Sequence, residues 1–299
     1  MATAKALILA TRPRQWTKNL LVYFAFFFTI NERWDLEDFN SLSLLFGEVT
    51  AAFVIFSALS GAIYLINDVI DVEKDRQHPR KSQRAIPSGQ LGVSFALVSA
   101  AALSIAGLSL AFLVEPAFGV VSLIYLVLMV LYTLVLKQVV LLDVFSISAG
   151  FVLRAVAGAA VIDVPISPWL YICTGLGALF IALGKRRDEL ALAGENAASQ
   201  RGTLEWYTPR LLDQLIAVVA PSTLLAYILY TSTADNLPDN HAMMLTIPFV
   251  VYGLFRYLFL LHSKNMGENP EEVLLTDVPL ITSILLWMIT AASVLLVFR

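Results

Sequence analysis

Long charge-free runs, rather than an alternation of apolar and polar positions, organise this chain. Val49–Ile66, Val93–Val114, Pro116–Leu136, Val164–Gly184, Gln214–Ala234 and Val278–Phe298 contain no Asp, Glu, Lys or Arg. Each is close to the roughly 20 helical residues that cross a bilayer, so each predicts a membrane span. Three more are predicted: a short first span near Gln15–Ile30, Val144–Ile162 with Arg154 inside it, and Ala242–His262 with Arg256 near its end. Nine helices make an all-α integral membrane protein with its termini on opposite sides. Pro13 and Arg14 precede the first run and no small-residue cleavage site follows it, which argues against a cleaved signal peptide.

Composition removes the alternatives. Of 299 residues, 58% are hydrophobic and 14% charged, against roughly 45–50% and about 25% in soluble domains. With a mean hydropathy of +0.76, most surfaces must face something other than water, which excludes a soluble enzyme, a disordered chain, collagen and a coiled coil. One cysteine, Cys173, excludes a disulfide framework and reads as core packing. His78, His241 and His262 lack the spacing of a zinc site.

The net charge of −3 hides an uneven distribution. Counted over alternate connections, seventeen Lys and Arg fall on one side and only Arg33 and Arg299 on the other. The positive-inside rule therefore puts the N-terminus and both sizeable connections, 68–89 and 185–210, in the cytoplasm. These connections each follow an inward-running span about 120 residues apart. The reading is one membrane domain over 1–299, with two pseudo-repeated four-helix halves at about 15–136 and 140–262 and a ninth helix at 278–298.

The first connection opens with Asn67-Asp68-Val69-Ile70-Asp71-Val72-Glu73-Lys74-Asp75. On a continuing helix, Asp68, Asp71 and Asp75 fall on one stripe and repel one another unless a cation sits among them. Hard oxygen ligands suit Mg²⁺, which binds through one or two carboxylates plus substrate phosphates. The competing reading is a solvated helix end in which Lys74 and Arg76 neutralise the acids. Arg80, Lys81 and Arg84 follow, and Arg84-Ala85-Ile86-Pro87-Ser88-Gly89 is a turn-forming stretch with a forked phosphate binder. A metal site beside arginines is how proteins hold diphosphates.

These residues carry a resemblance. Asn67–Asp75 matches the NDxxDxxxD motif of the UbiA superfamily of membrane prenyltransferases, and Arg84–Gly89 resembles the RPxPSG-like sequel. Aromatic prenyltransferases of that superfamily carry a second DxxxD in the second connection. Here Lys185-Arg186-Arg187-Asp188-Glu189-Leu190-Ala191-Leu192 has Leu192 where the second aspartate would fall. That run, with Arg12-Pro13-Arg14-Gln15-Trp16-Thr17-Lys18-Asn19 and Phe151-Val152-Leu153-Arg154-Ala155-Val156-Ala157-Gly158, is similar to the polyprenyl-phosphate phosphoribosyltransferase branch, best known for decaprenyl-phosphate enzymes.

The resemblance implies transfer of 5-phosphoribose from phosphoribosyl pyrophosphate (PRPP) to a polyprenyl phosphate, on the route to lipid-linked arabinose donors for the cell wall, at the cytoplasmic side of a bacterial inner membrane. Asp68, Asp71 and Asp75 would hold Mg²⁺ on the diphosphate, with Asn67 orienting the site. Lys185, Arg186 and Arg187 would pair with phosphate oxygens, and Asp188 would orient those cations or bind a ribose hydroxyl. Lys74, Arg80, Lys81, Arg84 and Lys137 complete the basic set. Arg14 and Lys18 are either substrate contacts or membrane anchors. Arg154 is a substrate residue or a partner holding helices together. Tyr64 and Tyr132 line a pocket or belong to the aromatic belt.

No histidine base is needed, because a phosphate monoester with a second pKa near 6 is already a nucleophile at neutral pH. Membrane lipids are the surrounding partners, nucleic acid is disfavoured because carboxylates interrupt the basic runs, and homo-oligomerisation is open. An aromatic prenyltransferase is the first alternative and lacks its second acidic motif. A transporter is the second, but its ligands would cluster near mid-membrane rather than at the cytoplasmic edge.

Overall fold

A computed structural model describes residues 2–77, 81–193, 202–264, 273 and 276–299. Among them there is no sheet, only an isolated bridge between Ile30 and Trp34. The chain opens with α1 (Ala2–Ala10), turns at Arg12, whose φ of 53° is left-handed, and continues as a 3₁₀ helix over Pro13–Val22 and α2 (Tyr23–Phe28). Next come α3 (Phe39–Ile70), the single-turn α4 (Val72–Arg76), α5 (Val93–Val114), α6 (Pro116–Leu134), α7 (Leu142–Val161) and α8 (Pro168–Ala193). The chain ends with α9 (Pro209–Thr233), α10 (Ile247–Lys264) preceded by a 3₁₀ turn at Ala242–Thr246, and α11 (Val278–Phe298).

Short polar signals set the helix starts. The Asp38 carboxylate accepts from the N–H groups of Asn40 and Ser41 at the head of α3, Glu115 accepts from Ala117 N–H before α6, and Asp277 accepts from Leu280 N–H before α11. These caps satisfy N–H groups that a helix cannot pair internally.

Eight described helices are long and apolar enough to cross a membrane, so the protein is multi-pass. The expected first span, Gln15–Ile30, is not among them, because Pro13 and the turn at Arg12 start a 3₁₀ segment and leave only six residues of α-helix. Ten residues at ~2.0 Å rise and six at ~1.5 Å nevertheless reach about 29 Å, close to the hydrocarbon thickness. The segment packs tightly on α7: an ideal Cβ at Gly158 would sit 1.9 Å from the Val22 carbonyl oxygen, so only glycine allows this approach.

Two expectations about the connections change. Helix α3 runs past the expected end at Ile66 to Ile70, so Asn67 and Asp68 are helical. Helix α8 likewise runs through Lys185–Leu190, so the basic run is helical too. Buried clusters join α3, α6 and α7 on one side of the bundle, and α7, α8, α9 and α10 on the other.

Candidate active site

A cavity of about 1810 Å³ opens between these groups of helices. The end bearing Asn67–Asp75 is polar, and the walls beyond it carry apolar and aromatic side chains such as Phe24, Ile181 and Trp287. At the far end it reaches Glu32, Asp235 and Asn236, so it extends through most of the bundle.

The three aspartates do not form a single stripe. Helix α3 stops at Ile70, Asp71 has φ −92° and ψ 9°, and α4 begins at Val72. The i→i−4 hydrogen bonds continue across this junction, from Asp71 N–H to Asn67 O and from Asp75 N–H to Asp71 O, and it is the cations that divide the carboxylates. Asp68 is buried and pairs with Arg12, and it also accepts from Arg84 Nη1 at 3.1 Å. The same Arg84 nitrogen donates to Asp75 Oδ2 at 2.6 Å, tying the two carboxylates together. Asp71 turns the other way, where Lys137 Nζ donates to both its oxygens at 2.8 Å and to Asn67 Oδ1 at 3.3 Å. Asn67, Asp71 and Asp75 line the cavity, whereas Asp68 lies behind its wall.

Arg84 is held by the turn that follows it. Ser88 N–H donates to Arg84 O at 3.0 Å and Gly89 N–H to Ile86 O at 3.0 Å, with Gly89 at φ +80°, a conformation that favours glycine. Buried Ile86 and Leu91 anchor the turn against Ala62 and Leu65 of α3. Lys81 also lines the cavity, and burial pulls its ammonium below the ordinary lysine pKa while nearby Asp75 opposes that shift.

The second basic run sorts by helical phase. Lys185, Arg186 and Glu189 face the cavity. Arg187 points instead to α9, where its Nε donates to Asp213 Oδ1 at 2.6 Å, and Asp188 is fully buried away from the cavity wall. Arg186 is buried between Asp143, at 3.4 Å, and Glu189. Successive helical residues are about 100° apart, so three adjacent cations in a helix cannot all face one ligand.

The remaining candidates divide similarly. Lys18, Lys74, Tyr64 and Tyr132 line the cavity, with the Arg12 guanidinium 4.8 Å above the Tyr64 ring. Arg14 is exposed and off the cavity wall. Arg80 lies outside the described residues. Arg154 borders the cavity but is buried and donates to Asn19 Oδ1 at 2.7 Å, Gly150 O at 2.8 Å and Tyr125 Oη at 2.8 Å. All three partners are neutral, so it links the 3₁₀ segment, α6 and α7 through hydrogen bonds rather than through a carboxylate.

Sequence reasoning assigned no role to Arg12, Asp143, Glu189 or Tyr207. Arg12 sits 56 residues from Asp68 along the chain and Tyr207 sits 64 from Asp143. No local spacing reports such pairs. The only available signal was that Asp143 is an acid at the start of a predicted span, where charge is expensive without a partner.

The donor set fits magnesium in one way. Among the described residues no group of three His, Cys, Asp or Glu is arranged to hold a metal by itself. Asn67, Asp71 and Asp75 nevertheless offer oxygen ligands on one wall, which suits an ion completing its shell with substrate phosphates and water.

Comparisons with known proteins agree with this architecture. Residues 20–284 match the UbiA prenyltransferase family. A decaprenyl-phosphate phosphoribosyltransferase of Mycobacterium tuberculosis is 33% identical over 286 residues, covering 95% of this chain and 92% of its own. Its counterpart in Corynebacterium glutamicum is 34% identical over 291 residues, covering 95% and 85%. The fold is similar to that of a UbiA homolog from Archaeoglobus fulgidus solved with DMAPP and Mg²⁺, with a TM-score of 0.74, 17% identity and coverage of 97% and 99%.

Proposed function

The chain belongs to the UbiA prenyltransferase family, and on that footing we propose that it transfers 5-phosphoribose from PRPP to a polyprenyl phosphate, releasing diphosphate. The observation that carries this reading is the asymmetry of the cavity's polar end. One wall offers Asn67, Asp71 and Asp75 among the cations Lys74, Lys81, Arg84 and Lys137, and the other offers Lys185 and Arg186 with a single carboxylate, Glu189. One acidic site suits one metal-loaded diphosphate, and the cations suit the phosphates that carry no metal. The names of the mycobacterial and corynebacterial relatives support the same donor and acceptor classes.

In this mechanism Asn67, Asp71 and Asp75 would hold Mg²⁺, which when bound neutralises charge on the leaving diphosphate. Arg84 and Lys137, already beside those carboxylates, turn to the diphosphate oxygens as they arrive. An oxygen of the lipid phosphate attacks C1 of the ribose, and the bond from C1 to the diphosphate oxygen breaks with its electron pair leaving on the diphosphate. The lipid oxygen is ionised at neutral pH and needs no base. The apolar length of the cavity receives the isoprenoid chain. In a bacterial inner membrane the polar end would face the cytoplasm, as the Lys and Arg bias requires.

The test is an assay of purified protein in detergent with two donor and acceptor pairs. PRPP with polyprenyl phosphate should give a phosphoribosylated lipid in the presence of Mg²⁺, and EDTA should abolish it. Product only from a prenyl diphosphate with hydroxybenzoate would overturn the reading in favour of aromatic prenyl transfer.

A further inference from the structure

Three distant segments meet behind the second basic run. Asp143 lies in the first turn of α7, Arg186 in α8, and Tyr207 just after a 3₁₀ turn at Gly202–Trp206. All three are buried. Asp143 Oδ2 lies 3.4 Å from Arg186 Nε, an ion-pair contact that falls short of a hydrogen bond, and Tyr207 Oη donates to Asp143 Oδ1 at 2.7 Å. The same phenolic oxygen accepts from Leu141 N–H at 2.9 Å. Leu141 has φ +66° and ψ −42°, an unfavourable backbone for a residue with a side chain, and the Tyr207 bond takes up its N–H. Tyr207 belongs with Val144, Leu183 and Leu212 to one buried apolar cluster that spans all three segments. Burial first, and then donation to Asp143, raise the Tyr207 pKa, so the phenol stays a donor across the working pH range.

We propose that Asp143 and Tyr207 are positioning residues that fix the Arg186 guanidinium at the cavity wall for a substrate phosphate. Asp143 attracts the Nε edge as an ion pair and Glu189 accepts from Nη1, and together they favour one orientation of the guanidinium plane. A planar fork recognises phosphate only in a set orientation, and an unclamped arginine would spread over many rotamers. The carboxylate of Asp143 also offsets the charge of a buried arginine in the absence of substrate. Nothing in the transfer chemistry requires Asp143 or Tyr207 to touch the substrate. The inference deepens the phosphoribosyl-transfer reading and rests on it for the choice of substrates.

The test is steady-state kinetics on the full-length protein in detergent, varying PRPP and polyprenyl phosphate in turn. Asp143→Asn should raise one KM about 10-fold and change kcat less than about 3-fold. Tyr207→Phe should act on the same KM to a smaller extent, and Asp143→Glu should recover part of the loss. A rise in the PRPP KM assigns the Arg186 contact to the donor, and a rise in the lipid KM assigns it to the acceptor. Adding Asp143→Asn to Arg186→Ala should cost nothing further, since the clamp would have nothing left to hold. A full additive loss, an equal fall in kcat alone, or unchanged KM values in both single variants would overturn the proposal. Tyr207→Phe removes only a hydroxyl, so it decides the matter if Asp143→Asn fails to fold. If the wild-type protein does not use PRPP at all, the transfer reading fails. The clamp is then judged by binding of inorganic diphosphate, which Tyr207→Phe should weaken and which no change in affinity would refute.

Discussion

The two charged regions at the polar end of the cavity are built in opposite ways. In the first, around Asn67–Gly89, two of the three motif carboxylates reach the cavity wall, and Arg84 and Lys137 neutralise them from beside it. In the second, around Lys185–Tyr207, Lys185, Arg186 and one carboxylate, Glu189, reach the wall, and the carboxylates of Asp143 and Asp188 are buried behind it. On the proposed reading the first region exchanges its protein cations for a metal and a diphosphate. On the same reading the second keeps Arg186 beside Asp143 and Glu189 and receives an anion directly. Two anionic substrates that must meet need both kinds of wall, because two identical acidic walls would repel an unmetallated phosphate and two basic ones would leave a metal without ligands.

The largest effect that can break this comparison is at the acidic wall. Asp71→Asn or Asp75→Asn should lower turnover at least ~100-fold at saturating Mg²⁺ while the protein stays monodisperse on size exclusion, since a metal-held leaving group is worth several kcal/mol. If higher Mg²⁺ fails to restore any activity in Asp75→Asn and activity in the parent is insensitive to EDTA, the acidic wall has a different job.

Packing gives the next largest effect. Gly158→Ala should lower the melting temperature in detergent by forcing the 3₁₀ segment off α7, an overpacking cost of roughly 1–3 kcal/mol or more. Gly184→Ala, whose Cβ would meet the tip of Tyr257 at 3.2 Å, should cost much less. Equal losses would mean that the 3₁₀ segment approaches α7 no more tightly than α10 approaches α8.

Within the second region, Arg186→Ala should raise a substrate KM about 10- to 100-fold, the worth of a charge-assisted bond in a partly dry site. Arg187→Ala should stay within ~5-fold, because a half-exposed pair with Asp213 contributes little. A reversed order would mean that the helical phase of α8 differs from that described.

The smallest effect concerns Lys81. Its pKa lies below the ordinary lysine value, so it loses its charge at a lower pH than a solvated lysine, and substrate affinity should fall correspondingly early on the alkaline side. Lys81→Arg should move that fall to higher pH, measured as KM against pH. An unchanged profile would remove Lys81 from the cation set of the first region.

Much of the fold was legible because bilayer thickness imposes long charge-free runs. Val278–Phe298 was bounded correctly by Asp277 and Arg299 alone, and Val93–Val114 at its end by Glu115. The first span was not, since Pro13 and the turn at Arg12 replaced an α-helix with a more extended one. Of the site, the motif Asn67–Asp75 and the departure at Leu192 could be read directly. The sorting of Arg186 from Arg187 could not, because it depends on α8 continuing past the apolar run.

The sequence by itself determined that the chain crosses a membrane many times, that its Lys and Arg concentrate in a few connections, and that one acidic motif stands without a second. Those are counts and spacings along the chain, and the bilayer turns them into structure without further information. Only the tertiary structure decided that one carboxylate pairs with Lys137 and two with Arg84. It alone also brought Tyr207 and Asp143 behind Arg186. These pairings join residues that are far apart in the chain, and packing chooses them by burying each charge only where an opposite charge or a hydrogen bond waits for it.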